Sequence, residues 1–253
     1  LLLSPEITDL RNPSNKQSGN ALLIVLTAII LVGMLTVAIQ GTSRPQDSGI
    51  DREQLVLNMS KVRQYAMELE HAVNLIMQDG FSESDIRFAH LDAPADYGDL
   101  SADGDPSDQV FHYDGGAATY RQPPGGIQTT AANWEFYGST SLPDVGTGKP
   151  ELVAVLPNVT LEFCEKVNEV NGYNSSTQPL DTGVASATAT DAGSCIYGEE
   201  AARFDDGVQF YDPPSKTSNT VDEATFTEKP SLQGCVKCAR DSKYHFFHVL
   251  LRR

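Results

Sequence analysis

The residues with the most chemical potential are Cys235-Val236-Lys237-Cys238. Two cysteines at this spacing can make a structural disulfide, a dithiol redox centre or half of a zinc site. Redox chemistry wants the motif at a helix N-terminus behind a strand, where the helix dipole lowers the thiol pKa. Here it follows a loop with Gly234 and precedes a strand, so a CxxC thiol oxidoreductase is the weaker reading. Structural disulfides are expected instead, within the pair or to Cys164 and Cys195, and the sequence does not choose the connectivity. His245 and His248 lie just downstream as metal-ligand types. If Tyr244–Leu251 is a strand, the two point to opposite faces and cannot close on one zinc ion.

A second group is acidic. The stretch DYGDLSADGDPSD carries Asp103, Asp105 and Asp108 on a glycine-containing loop, and clustered oxygen ligands are what calcium needs. No Glu stands at the twelfth loop position, so an EF-hand is not formed, and a solvated acidic loop is the simpler reading. The G-x-S-x-G, S-x-x-K, H-E-x-x-H, G-x-G-x-x-G and P-loop patterns do not occur. His71, His90 and His112 read as surface or satisfied residues, and Trp134 with Phe136 and Tyr137 as core and edge. No catalytic residue is nominated, and the chain is expected not to be an enzyme.

Such groups need elements to hold them. The chain has 253 residues, 40% of them hydrophobic, enough for one domain with a core plus appendages. With 34 acidic and 18 basic residues its formal charge is -16, which excludes a nucleic-acid binder and a polybasic membrane-surface protein. Leu55, Met59, Val62, Ala66, Leu69, Val73 and Ile76 alternate steps of four and three, predicting a helix over Asp51–Gln78. Asp51 is a cap for its start and Gly80 for its end. The stripe is expected to pack on the domain's own sheet, with a coiled-coil partner as the alternative.

Short strands are predicted at Ile86–Phe88, Asn133–Tyr137, Leu152–Leu156, Gln209–Tyr211 and Tyr244–Leu251. Val110–Tyr113 and Ala117–Tyr120 flank Asp114-Gly115-Gly116 and read as a hairpin. Pro157-Asn158 reads as the start of a helix over Val159–Val170, ended by Asn171-Gly172. Residues 174–194 and 213–231 read as loops. The fold class is α+β: an amphipathic helix on a mostly antiparallel sheet, with long loops.

Ala21–Ile39 reads ALLIVLTAIILVGMLTVAI, an uncharged run whose helical length matches the hydrocarbon thickness of a bilayer. It is longer than the usual apolar region of a cleaved secretory signal, which stays as the rival reading with Thr36-Val37-Ala38 as its cleavage site. Mean hydropathy of -0.28 excludes a multi-span protein. Arg11 and Lys16 on one side, against Arg44 and Arg52 beside Asp47 and Asp51 on the other, push weakly towards an internal N-terminus. All four cysteines lie in the C-terminal half, which fits disulfides in an oxidising compartment. The organisation expected is a leader over 1–19, a transmembrane helix over 20–40, a flexible linker over 41–50 (with Gly41, Pro45 and Gly49) and an extracytoplasmic α+β domain over 51–253. The first residue is not Met, so the natural start is expected upstream.

Lys16-Gln17-Ser18-Gly19 stands directly before Asn20-Ala21-Leu22-Leu23-Ile24. A basic leader ending in Gly at the edge of a span resembles the class III signal of type IV pilins and pseudopilins. The resemblance implies that prepilin peptidase cuts after Gly19 and that the new N-terminus at Asn20 is methylated. The family usually has Glu at the fifth mature position, where this chain has Ile24, and most members run one unbroken helix through the region of 40–50. Certain minor, tip-located pseudopilins lack that glutamate. Gly19-Asn20-Ala21-Leu22, Gln64-Tyr65, Asp85-Ile86-Arg87-Phe88, Gly115-Gly116, Trp134-Glu135-Phe136 and Val249-Leu250-Leu251 together resemble a group of alphaproteobacterial pilin-like membrane-anchored proteins of unassigned function.

The resemblance implies a single-pass inner-membrane protein, with its globular domain in the periplasm or exported in a filament. It implies a role as a minor pilin-like subunit of a type IV pilus or type II secretion-like assembly. Its partners would then be other pilin-like or secretion-system subunits. The alternative is a permanently anchored periplasmic domain that binds a partner or calcium through its acidic loops.

Overall fold

The long amphipathic stripe forms helix α1, Asp47–Gln78. It begins before Asp51 because Gly49 only weakens a helix, by about 1 kcal/mol, without breaking it. Gly80, with φ of +98°, takes the left-handed position after its end. The computed structural model describes residues 25–26, 29, 47–90, 97, 104–173, 179–181, 196, 204, 219–221, 225–239 and 241–253. Two units separate in it, Leu1–Asp51 and Arg52–Arg253. In the first, Val25, Leu26 and Ile29 are helical and exposed. The rest of the predicted span, the leader, Gly19, Asn20 and Ile24 lie outside the described residues, and no described helix is long and apolar enough to cross a membrane.

The second unit is α+β. Its strands are β1 (Glu135–Ser141), β2 (Glu151–Val159), β3 (Leu180–Asp181), β4 (Asn219–Thr220), β5 (Gln233–Cys238) and β6 (Tyr244–Leu251). Helix α2 covers Leu161–Val170 and the short α3 covers Thr225–Glu228. The sheet order is β3-β5-β6-β2-β1-β4. The central four strands are antiparallel, and the two-residue β3 and β4 pair parallel at the edges.

Both faces of the sheet are covered. Leu152, Ala154 and Leu156 of β2 with Phe246 and Leu250 of β6 meet Val62, Ala66, Leu69, Val73 and Ile76 of α1 in one core. The α1 stripe therefore packs on the domain's own sheet, as its spacing predicts. Each such buried Val, Leu, Ile or Phe side chain contributes roughly 1.5–3 kcal/mol of transfer free energy. Val153, Val155, Phe247 and Val249 point to the other face, into a second core with Leu142, Val145, Tyr173, Val221 and Phe226. Phe226 sits in α3, inside the stretch 213–231 that reads as loop, and lies 5.5 Å from Tyr173 and 5.7 Å from Phe247, ring centre to ring centre.

Several expectations are corrected. The predicted hairpin over 110–120 is not a pair of strands. It is a compact series of turns in which the Ala118 N–H donates to the Val110 carbonyl (3.0 Å) and the Gly116 N–H to the Gln109 carbonyl (2.9 Å). Glycine is needed there by close approach, since a Cβ on Gly116 would stand 2.7 Å from the Val110 oxygen and 2.8 Å from Ala72 Cβ. Ile86–Phe88 makes a single parallel bridge, Arg87 to Gln109, rather than a strand.

Pro157-Asn158 does not start a helix. It forms an irregularity within β2, with Asn158 at φ +58°, a conformation Asn tolerates better than most residues. Helix α2 starts after Thr160, whose hydroxyl accepts from the Phe163 N–H at 3.2 Å, and Gly172 at φ +80° follows its end. Gln209–Tyr211 lies outside the described residues.

Candidate functional site

The CxxC motif lies inside β5, a strand that composition around Gly234 concealed. Residues three apart on a strand face opposite ways. Cys235 accordingly belongs to the α1-side core and Cys238 to the opposite one. Cys235 is bonded to Cys164 of α2. Cys238 is also disulfide-bonded, and Cys195 lies outside the described residues. A vicinal Cys235–Cys238 redox pair is therefore not formed.

His245 and His248 fall on opposite faces of β6, as strand alternation requires. The Nε2 of His245 lies 3.1 Å from Asp241 Oδ2, near Cys238, so that Cys238, Asp241 and His245 converge. His245 is wholly buried, and burial lowers its pKa against the opposing effect of Asp241. Because the Cys238 sulfur is in a disulfide, it is not a thiolate donor, and this trio does not make a three-ligand metal centre as it stands.

On the α1 side, His248 Nε2 lies 2.9 Å from Glu70 Oε2. The hydrogen bond to His248 is the main cause holding the Glu70 carboxyl below its usual range. One strand over, opposite His248, the Gln233 amide faces Arg63 of α1; turned with its oxygen towards the guanidinium, it accepts from Nε at 3.1 Å and Nη2 at 2.7 Å. Two side chains of α1 are thus keyed to two adjacent sheet positions.

Of the candidate calcium ligands in the acidic loop, Asp105 and Asp108 are among the described residues. Asp103 lies outside the described residues. Asp105 accepts from the Ser107 N–H at 3.1 Å and caps the short helical turn Pro106–Asp108; hydrogen bonding from the Ser107 side chain first, and from its N–H second, lowers its pKa. The Asp108 carbonyl accepts from the Arg87 N–H at 3.0 Å. Tyr97, within the same acidic stretch, is buried, and its hydroxyl accepts from the Phe136 N–H at 3.0 Å. Asp105 is committed to local turn structure.

A cleft of about 300 Å³ opens between α1 and the loop 121–124. Lys61, Gln64 and Tyr65 line it from the helix, Arg121 and Gln122 from the loop, and Trp134 from below. Trp134 packs edge-on against Tyr65, 5.4 Å between ring centres. The Tyr65 hydroxyl accepts from the Arg121 N–H at 3.1 Å, and its burial raises its pKa strongly. The Arg121 guanidinium lies over the Tyr65 ring and pairs with Glu68 at 2.8 Å. Neither Lys61 nor Arg121 was singled out in the sequence, because they come from separate segments and carry no motif.

His90 stacks on Tyr120 at 3.6 Å, and the His112 Nδ1 accepts from the Asp114 N–H at 3.2 Å. His71 is exposed. Comparison with family models, with curated proteins and with solved structures finds no match for this chain.

Proposed function

We propose that the chain is a non-enzymatic, membrane-anchored pilin-like or minor pseudopilin-like subunit of a type IV pilus or type II secretion-like assembly. The observation that carries this reading is an order of parts. A basic leader ending at Gly19 meets the apolar run Ala21–Ile39, and the helix Asp47–Gln78 packed against an antiparallel sheet comes next. The structural disulfide Cys164–Cys235 fits an oxidising compartment for the folded domain. Span-to-span packing would supply assembly contacts. Ile24, where the family usually has Glu, leaves the amine of Asn20 without its usual partner and favours a tip or accessory position.

The test is the exact N-terminus of the protein extracted from the membranes of its own host, by intact and peptide mass spectrometry. A methylated start at Asn20, abolished in Gly19→Val, is the expected result. An intact leader would leave an anchored periplasmic binding domain as the working reading. A start near Ile39 would mean a released protein and would overturn the pilin-like assignment.

A further inference from the structure

We infer that the cleft between α1 and the loop 121–124 is a preformed binding site for the carboxylate of a small organic acid. Its walls are fixed. At one end the Arg121 N–H is tied to the Tyr65 hydroxyl and the Arg121 guanidinium to Glu68. At the other, Asn58 Nδ2 donates to the Gly125 carbonyl at 3.1 Å, and Gln54 Nε2 donates to Asn58 Oδ1 at 2.9 Å. Pro123 and Pro124 stiffen the chain between these ties. The gap that remains is held open by covalent and hydrogen-bonded structure, as ligand sites commonly are.

Its polarity opposes that of the molecule. In a chain of formal charge -16, no acidic side chain is among the described residues lining this cleft; Arg121 is neutralised by Glu68 at its edge, and Lys61, Gln64 and Gln122 supply the donors left over. Lys61 makes no ion pair or hydrogen bond among the described residues. Val62, Tyr65 and Trp134 form an apolar floor. Cationic rim, amide donors and apolar floor fit a compact acid whose carboxylate meets Lys61 and whose body lies on the floor. The volume of about 300 Å³ is at the small end for ligand pockets, so the body is of monosaccharide or single-amino-acid size.

Trp134 is the sole tryptophan and reports directly on the cleft. The experiment titrates the full chain, in detergent, with glucuronate and with N-acetylglutamate, against glucose and N-acetylglutamine as neutral counterparts. A saturable change in tryptophan emission with one of the acids is expected. Which acid gives it separates a saccharide source from a peptide one. Lys61→Ala, on the exposed side of α1, is expected to weaken binding about tenfold or more, as loss of a charge-assisted hydrogen bond does, while Lys61→Arg retains it. No saturable change with either acid, equal binding of the neutral counterparts, or an unaltered Lys61→Ala would each overturn the inference. Because the readout does not involve processing or assembly, its failure leaves the pilin-like reading standing.

Discussion

Asn168 satisfies both backbone groups of Cys235: its Nδ2 donates to the carbonyl at 2.9 Å and its Oδ1 accepts from the N–H at 3.0 Å. One turn earlier in α2, Cys164 is bonded to the same residue. Helix α2 is therefore joined to β5 at one point twice over, by a covalent link and by a buried amide. Asn168→Ala leaves two buried backbone groups unpaired and is expected to cost about 2–4 kcal/mol. Urea unfolding with an unchanged slope and a lowered midpoint would show it. A loss below about 0.5 kcal/mol would mean that the two groups find other partners.

The Cys164–Cys235 link spans 71 residues of sequence. Chain entropy for a loop of that length puts the cost of Cys164→Ser with Cys235→Ser at about 4 kcal/mol. Non-reducing peptide mapping of the wild-type protein should return a peptide joining residues 164 and 235. A link closed between Cys235 and Cys238 would contradict the placement of these residues on opposite faces of β5.

Gly116 tests the turns that replace the expected hairpin. A Cβ at this position meets backbone at 2.7 Å and Ala72 at 2.8 Å, and neither neighbour can swing away. Gly116→Ala is expected to destabilise by on the order of 2–3 kcal/mol through overpacking. Thermal unfolding of that variant, with Gly125→Ala as a control in open space, separates steric cost from a general effect of removing glycine.

Glu151 is buried at the start of β2, where its Oε2 accepts from the Leu142 N–H at 2.9 Å and its Oε1 has no hydrogen-bond partner among the described residues. Burial raises its pKa from 4.5 to about 7, outweighing these bonds and the pull of Arg253. Between those two values the folded chain holds a proton that the unfolded chain has lost, so this residue makes stability fall as pH rises through about 4.5 to 7. Glu151→Gln keeps the acceptor for Leu142 and removes the charge. It should remove this slope and stabilise the protein at pH 8 by on the order of 1–3 kcal/mol. Denaturant midpoints at pH 5 and pH 8 measure it, and an unchanged slope in the variant would refute the assignment.

Glu70 contributes with the opposite sign. Its hydrogen bond to His248 lowers its pKa, so its contribution is present above 4.5 and is lost as pH falls through the lowered folded value. Glu70 is partly exposed, which limits the effect to about 0.5–1 kcal/mol. Glu70→Gln should flatten the limb below pH 4.5 and leave the fall between about pH 4.5 and 7 to Glu151. Loss of the fall between 4.5 and 7 in Glu70→Gln instead would overturn this division between the two groups.

What the sequence determined by itself is whatever depends on neighbours along the chain. The spacing from Leu55 to Ile76 places helix α1, since its buried residues recur at helical steps along one face. Alternation places β6 at Tyr244–Leu251 with the bounds the structure shows, and it also separates His245 from His248. Asn171-Gly172 ends α2 because glycine alone takes a positive φ without cost.

Contacts between distant segments were decided only by the tertiary structure. Four cysteines at unmatched spacings hold no information about which two meet, and the choice fell to the packing of α2 on β5. The same packing turned CxxC into a strand with its sulfurs on opposite faces. The Glu151 environment, the Glu70–His248 pair and the cleft that Lys61 and Arg121 both line have no local signature. Each arises where the fold closes one segment over another, and burial, not residue type, sets their chemistry.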